Sequence, residues 1–236
     1  METLTPKPAE AAKRTRARRT TFLTLAALLL AGLFAGCGSS DNGIASKEPQ
    51  EILQASRAAI AKADSVTVRS QTAQRRPVVA LELMLTRNGG QGKVSVLGIN
   101  FEVIRVNGTI YLKGDPSFYK RLGITQSVPA NTWIKAPANQ FGQLAAFTDP
   151  TGEIERIIAA SGKVTKGSTT TNEGQPVVEL KTEGKIYKGR LYIKTTGEPY
   201  PLRLDKAGRE TTHATFSRWN QTSAPTAPAS TTTIGG

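Results

Sequence analysis

The chain has 236 residues, with 31 Lys and Arg against 18 Asp and Glu, a formal net charge of +13. That length suits one ordinary domain with tails. The single cysteine excludes an intramolecular disulfide framework and a zinc site of clustered Cys, and the single histidine, His213, leaves little room for a Ser-His-Asp or Cys-His machine or a poly-His metal site.

Residues 1–36 read as an export signal. Lys7, Lys13, Arg14, Arg16, Arg18 and Arg19 precede an uncharged stretch from Thr20 to Gly36 with its apolar heart at Phe22 to Phe34. As a helix that heart is about 20 Å long, short of the ~30 Å core of a bilayer. A basic region, a short apolar region and small residues at its end are the layout of a signal peptide. Phe34-Ala35-Gly36-Cys37 resembles the bacterial lipobox, departing from it in Phe34, where a branched residue is usual. The resemblance implies that Cys37 receives a diacylglyceryl group and becomes the first residue of the mature chain, and two acyl chains anchor stably where one does not. Removing the first 36 residues takes away 6 basic and 2 acidic side chains, leaving 25 and 16, a net +9.

Residues 37–46 are polar and glycine-bearing and are expected to form a flexible tether. Residues 221–236 are uncharged, low-complexity sequence expected to have no fixed structure. The domain is therefore expected at 47–220.

From Pro49 to Ala63 the apolar residues Ile52, Leu53, Ala55, Ala59, Ile60 and Ala63 recur at three- and four-residue intervals, which predicts a helix. After Asp64 the period changes to two. Strands are predicted at 65–72, 78–86, 92–96, 99–106 and 109–113, with turns at Asn88-Gly89-Gly90 and Asn107-Gly108. Asp115-Pro116 reads as an N-cap and first helical residue of a short helix toward Leu122. A short strand at 132–135 and helices at 140–147 and 150–160 follow, and then strands at 163–171, 176–182, 189–195, 202–206 and 212–219. The expected fold is α+β: a single large curled antiparallel sheet of about ten strands, with an N-terminal helix and a helical insertion between its halves.

This order of elements resembles the actinobacterial LppX/LprA/LprF/LprG lipoprotein family, which groups with the LolA/LolB-like carriers. The residues that carry the resemblance are Ala63-Asp-Ser-Val-Thr-Val68, Val106-Asn-Gly-Thr-Ile-Tyr-Leu112, Asn131-Thr-Trp-Ile-Lys135 and Ala214-Thr-Phe-Ser-Arg-Trp-Asn220. The resemblance implies a half-barrel whose concave face, lidded by helices, holds acyl chains of lipids or lipoglycans. It also implies a protein that moves or presents amphiphiles and breaks no bonds.

A lipid site needs more inward apolar surface than the protein fills itself. Leu81, Leu83 and Leu85 form an apolar row with Val79, Phe101 and Val103 extend it across the sheet, and Ile154, Ile157 and Ile158 are placed to roof it. The same rows would serve as the plain core of a sheet-plus-helix domain; the 6% aromatic content leans toward a cavity, because large rings are what usually fill a big curved sheet. The scattered basic residues suit a solvated face, or attraction to anionic head groups and acidic envelope polymers. No nucleic-acid motif is visible. Gly89-Gly-Gln-Gly-Lys93 lacks the glycine and hydroxyl residue of a phosphate loop and reads as a hairpin turn, and His213 reads as an ordinary strand residue. The sequence therefore points to a monomeric, non-enzymatic lipoprotein without cofactor or metal. It would be held by Cys37 at the extracytoplasmic face of the cell membrane, with a lipid or lipoglycan in an apolar cavity. The alternative is an envelope sensor or scaffold of the same fold that binds a protein partner.

Overall fold

The computed structural model describes residues 40–73, 79–136, 163–183, 188–207 and 211–233. Helix α1 spans Pro49–Lys62. Pro49 sits in the first turn, where its missing N–H costs nothing, and the Glu51 carboxylate accepts the Glu48 N–H at 3.2 Å. Ile52, Leu53, Ser56, Ala59 and Ile60 form its buried side.

The strands are β1 (Ser65–Ala73), β2 (Val79–Thr86), β3 (Gly89–Val96), β4 (Ile99–Val106), β5 (Thr109–Gly114), β6 (Trp133–Ala136), β7 (Lys163–Asn172), β8 (Gln175–Glu183), β9 (Lys188–Lys194), β10 (Pro201–Ala207), β11 (Thr211–Ser217) and β12 (Thr231–Thr233). They make one open, curled sheet in the order β12-β6-β5-β4-β3-β2-β1-β11-β10-β9-β8-β7. Every pairing is antiparallel except β12 on β6. Strand β1 joins the two meanders, pairing with β2 on one side and with β11 on the other, where Val68 faces Phe216 and Ser70 faces Ala214. The short helix α2 (Pro116–Arg121) begins where Asp115-Pro116 predicts it, and the Asp115 carboxylate accepts the Phe118 N–H at 2.9 Å. The helices expected at 140–147 and 150–160 lie outside the described residues. Among the described residues, no helix is long and apolar enough to cross a membrane.

Three expectations are corrected. The glycines after Asn88 do not form the turn: the hairpin turns at Arg87-Asn88, and Gly89, Gly90 and Gly92 lie within β3. The folded part begins before residue 47. Asp41 bridges Thr196, the Asn42 N–H donates to the Thr195 carbonyl at 2.9 Å, and Ile44 in a 3-10 turn (Ile44–Ser46) is 3% exposed. The tail also has structure. The Asn220 N–H donates to the Ser65 carbonyl at 2.9 Å and the Thr222 N–H to Ser65 Oγ at 3.0 Å. Residues 231–233 then pair with β6 as the twelfth strand. Composition misleads here because the tail is held through its backbone, which needs no apolar side chains.

Candidate functional site

Residues opposite each other in an antiparallel ladder share a face. Leu81 stands between Ser70 and Val94, Leu83 between Val68 and Gly92, and Leu85 between Val66 and Gly90. One strand further, Phe101 lies opposite Val94 and Gly114, and Val103 opposite Gly92 and Leu112. Five sequence candidates, Leu81, Leu83, Leu85, Phe101 and Val103, therefore share the inner face of β2 and β4. Leu83 and Leu85 are 3% exposed, Phe101 7% and Val103 1%, while Leu81 is half-buried. The other candidates, Ile154, Ile157, Ile158 and Cys37, lie outside the described residues.

The β3 glycines shape this face. A Cβ on Gly92 would lie 2.1 Å from the Glu82 carbonyl oxygen and 2.9 Å from Leu83 Cδ2. Glycine there lets β2 and β3 close up, with the Leu83 side chain leaning across the strand beside it. Sequence reasoning took these residues for turn glycines, and only the register reveals their role.

Helix α2 caps the β4–β5 end of the face. Phe118 stacks on Phe101 with ring centroids 4.5 Å apart. Tyr119 fixes the helix from its other side, its hydroxyl donating to the Thr132 carbonyl and accepting the Gly114 N–H, both at 3.0 Å. Hydrogen bonds from Ser117 Oγ and the Phe118 N–H hold the Asp115 carboxyl below its usual range.

The outer face is polar and carries a cross-strand ladder of alternating charge: Arg69, Glu82, Lys93, Glu102 and Lys113 stand opposite one another on β1 to β5. Arg69 bonds Glu82 at 2.7 Å, Lys113 bonds Glu102 at 3.1 Å, and Lys113 Nζ lies 4.9 Å from the centre of the Trp133 ring. Their mutual hydrogen bond raises the pKa of Arg69 and lowers that of Glu82. Both side chains are exposed, so the pair contributes little to stability. An open trough of about 790 Å³ runs along this face, with Gln71, Ser95, Asn100 and His213 among its lining. His213 lies on β11, where its Nδ1 is 2.7 Å from Asp205 Oδ1, and the other Asp205 oxygen takes Arg203 Nη2 at 3.0 Å. Cation and anion are thus matched across this face, whereas the inner face is mainly apolar, with Ser70 and Arg105 among its polar members. Among the described residues, no group of three or more His, Cys, Asp or Glu side chains is placed to hold a metal ion.

No sequence-family profile and no curated protein matches the chain. Solved structures do. LprF from Mycobacterium bovis superposes with a TM-score of 0.54 at 14% identity, covering 76% of this chain and 99% of its own. The Mycobacterium tuberculosis lipoprotein LppX gives 0.47 at 13% identity over 78% of this chain and 98% of its own. A LolA superfamily protein from Nitrosomonas europaea gives 0.31 at 11% identity over 76% and 96%. The open sheet, its apolar inner face and its superposition on LprF give this chain an LprF-type half-barrel fold.

Proposed function

We propose that this chain is an exported lipoprotein that binds or carries an amphiphile, a lipid or lipoglycan, and catalyses no reaction. The observation that carries the proposal is the inner face, where Leu81, Leu83, Leu85, Phe101 and Val103 lie side by side under the chain's own packing, which in this reading parts to admit a ligand. In this reading acyl chains lie along that face, α2 closes one end of it, and Ile154, Ile157 and Ile158 of the segment between β6 and β7 contribute to its cover. Each acyl methylene buried there contributes about 0.8 kcal/mol, so about ten buried methylenes reach the micromolar affinity at which a ligand begins to survive purification. Acylated Cys37 holds the domain to the outer surface of the cell membrane. The fold of LprF supports the architecture, and the apolar face supports the ligand class.

Solvent extraction of the purified chain followed by mass spectrometry tests this reading. A stoichiometric amphiphile is expected, and Leu81→Trp, which thickens the half-buried end of the row, should lower its amount while the fold is retained. A protein that carries no amphiphile after purification from cell membranes would be a scaffold instead.

A further inference from the structure

The trough on the outer face has a regular construction. Each of β1 to β4 gives it three consecutive residues, 69–71, 80–82, 93–95 and 100–102, and the end of β5 gives 113–115. The middle ones, Ser70, Leu81, Val94, Phe101 and Gly114, stand opposite one another and belong to the inner face, so what they offer the trough is backbone, its floor. The residues on either side of them are its walls. The trough therefore crosses the strands instead of following one. From His213 on β11 to Gly114 on β5 it spans five strand spacings, about 24 Å. Its volume of about 790 Å³ lies within the range of ligand sites, roughly 300–1,000 Å³.

The two walls differ. One is the ladder Arg69, Glu82, Lys93, Glu102 and Lys113, in which donors and acceptors alternate from strand to strand. The ion pairs Arg69–Glu82 and Lys113–Glu102 hold these groups in place. The other wall is uncharged and consists of Gln71, Ala80, Ser95 and Asn100. Gln71 and Asn100 are exposed, and neither their amides nor the Ser95 hydroxyl makes a hydrogen bond among the described residues.

Charge decides what fits. The chain beyond residue 36 carries a net +9, yet the trough sets Arg69, Lys93 and Lys113 against Glu82, Glu102 and Asp115. A polyanion would meet as many carboxylates as cations there. An extended peptide pairs its backbone with a strand edge, and a trough across the middle of a sheet has none to give. A hydroxyl carries no charge and both donates and accepts, so a chain of hydroxyl groups can use every position of both walls.

We propose that the trough is a binding site for a linear, uncharged glycan. The glycan lies across β1 to β5, its hydroxyls bonded by Gln71, Ser95 and Asn100 on one side and by the paired charges of the ladder on the other. The sheet stands between this site and the inner face, so the proposal goes beyond the amphiphile reading and does not depend on it. The ligand is a free polysaccharide, not the head group of an amphiphile held on the other side.

The test passes the full chain, in a detergent without a sugar head group, over immobilised linear α-glucan, β-glucan, α-mannan and β-galactan. At least one should bind, with an affinity unchanged by added salt, because a neutral chain releases no counterions. Gln71→Ala combined with Asn100→Ala changes two exposed side chains and should leave the fold intact. It should weaken binding at least about tenfold, through the loss of two hydrogen bonds. Ala80→Trp, which fills the middle of the trough, should abolish binding, and Lys181→Ala on β8, outside the trough, should leave it as it is. Failure of the wild type to bind any of the four polymers, binding that salt removes, or a double variant that binds like the wild type overturns the proposal. The amphiphile that co-purifies with the double variant should match that of the wild type. Its loss would make the trough part of the inner-face site and overturn a separate one.

Discussion

Phe118 lies nearly flat on Phe101, with 14° between the ring planes, and it does so because residue 114 has no side chain. A Cβ on Gly114 would stand 2.4 Å from Phe118 Cδ1. The stack is what attaches α2 to the inner face. Gly114→Ala should therefore destabilise the domain by about 1–3 kcal/mol through overpacking. Phe118→Ala should cost about 3–5 kcal/mol through the cavity it leaves. In the double variant the alanine at 114 should add almost nothing, since its collision partner is gone. Urea unfolding of the four proteins checks this, and additive losses would mean that Gly114 acts through something other than the ring.

Two depressed carboxyls give stability a direction in pH. Asp115 is lowered by the Ser117 hydroxyl and the Phe118 N–H, and Glu82 by Arg69. A carboxyl whose folded pKa lies below its unfolded value, about 3.9 for Asp and 4.3 for Glu, contributes stability above that unfolded value and loses it as pH falls through the folded one. The advantage of the wild type over Asp115→Asn should be full above about pH 5 and shrink steadily below pH 4. Denaturant midpoints measured from pH 7 to pH 3 test the sign, and an advantage that grows toward acid would contradict the cap.

The tail covers an edge. Strand β6 has β5 on one side and only Thr231–Thr233 on the other. Ending the chain after Gln221 should expose its backbone, a template for pairing with another molecule. Amide exchange should speed up at least about tenfold at the one of Ile134 and Lys135 whose N–H faces β12, its neighbour being turned toward β5, and light scattering should register self-association. Unchanged exchange at both positions would show that the three-residue ladder does not protect the edge.

Lipidation at Cys37 has its own test. Cys37→Ser expressed in a bacterium with lipoprotein processing should lose its acyl mass. It should also leave the membrane fraction if the apolar run of residues 22–34 is cleaved. An acylated mass on the serine variant would place the modification elsewhere.

Most of the sheet was legible because alternation and turn pairs are local signals. Val66 and Val68, the row from Leu81 to Leu85, and Asn107-Gly108 mark β1, β2 and the β4–β5 turn without tertiary knowledge. What could not be read depends on register. Gly92 looks like a turn residue until Leu83 is found opposite it. The tail failed for a related reason: Thr222 and Thr231–Thr233 are held by backbone partners, which leave no mark on composition. At the candidate site, alternation and spacing were enough to put Leu81, Leu83, Leu85, Phe101 and Val103 on one face, whereas the stacking of Phe118 on that face had no signal in periodicity.

The early start of the fold bears on how far the domain travels. Asp41 and Asn42 are fastened beside β9, with Asn42 Nδ2 donating to the Gly197 carbonyl at 2.8 Å. If Cys37 carries the lipid, three residues separate the anchor from fastened chain, at most about 14 Å when fully extended. Such a leash lets the domain rock on its membrane but not roam between membranes. On the reading proposed above, cargo destined for a distant layer would have to be handed on to something else.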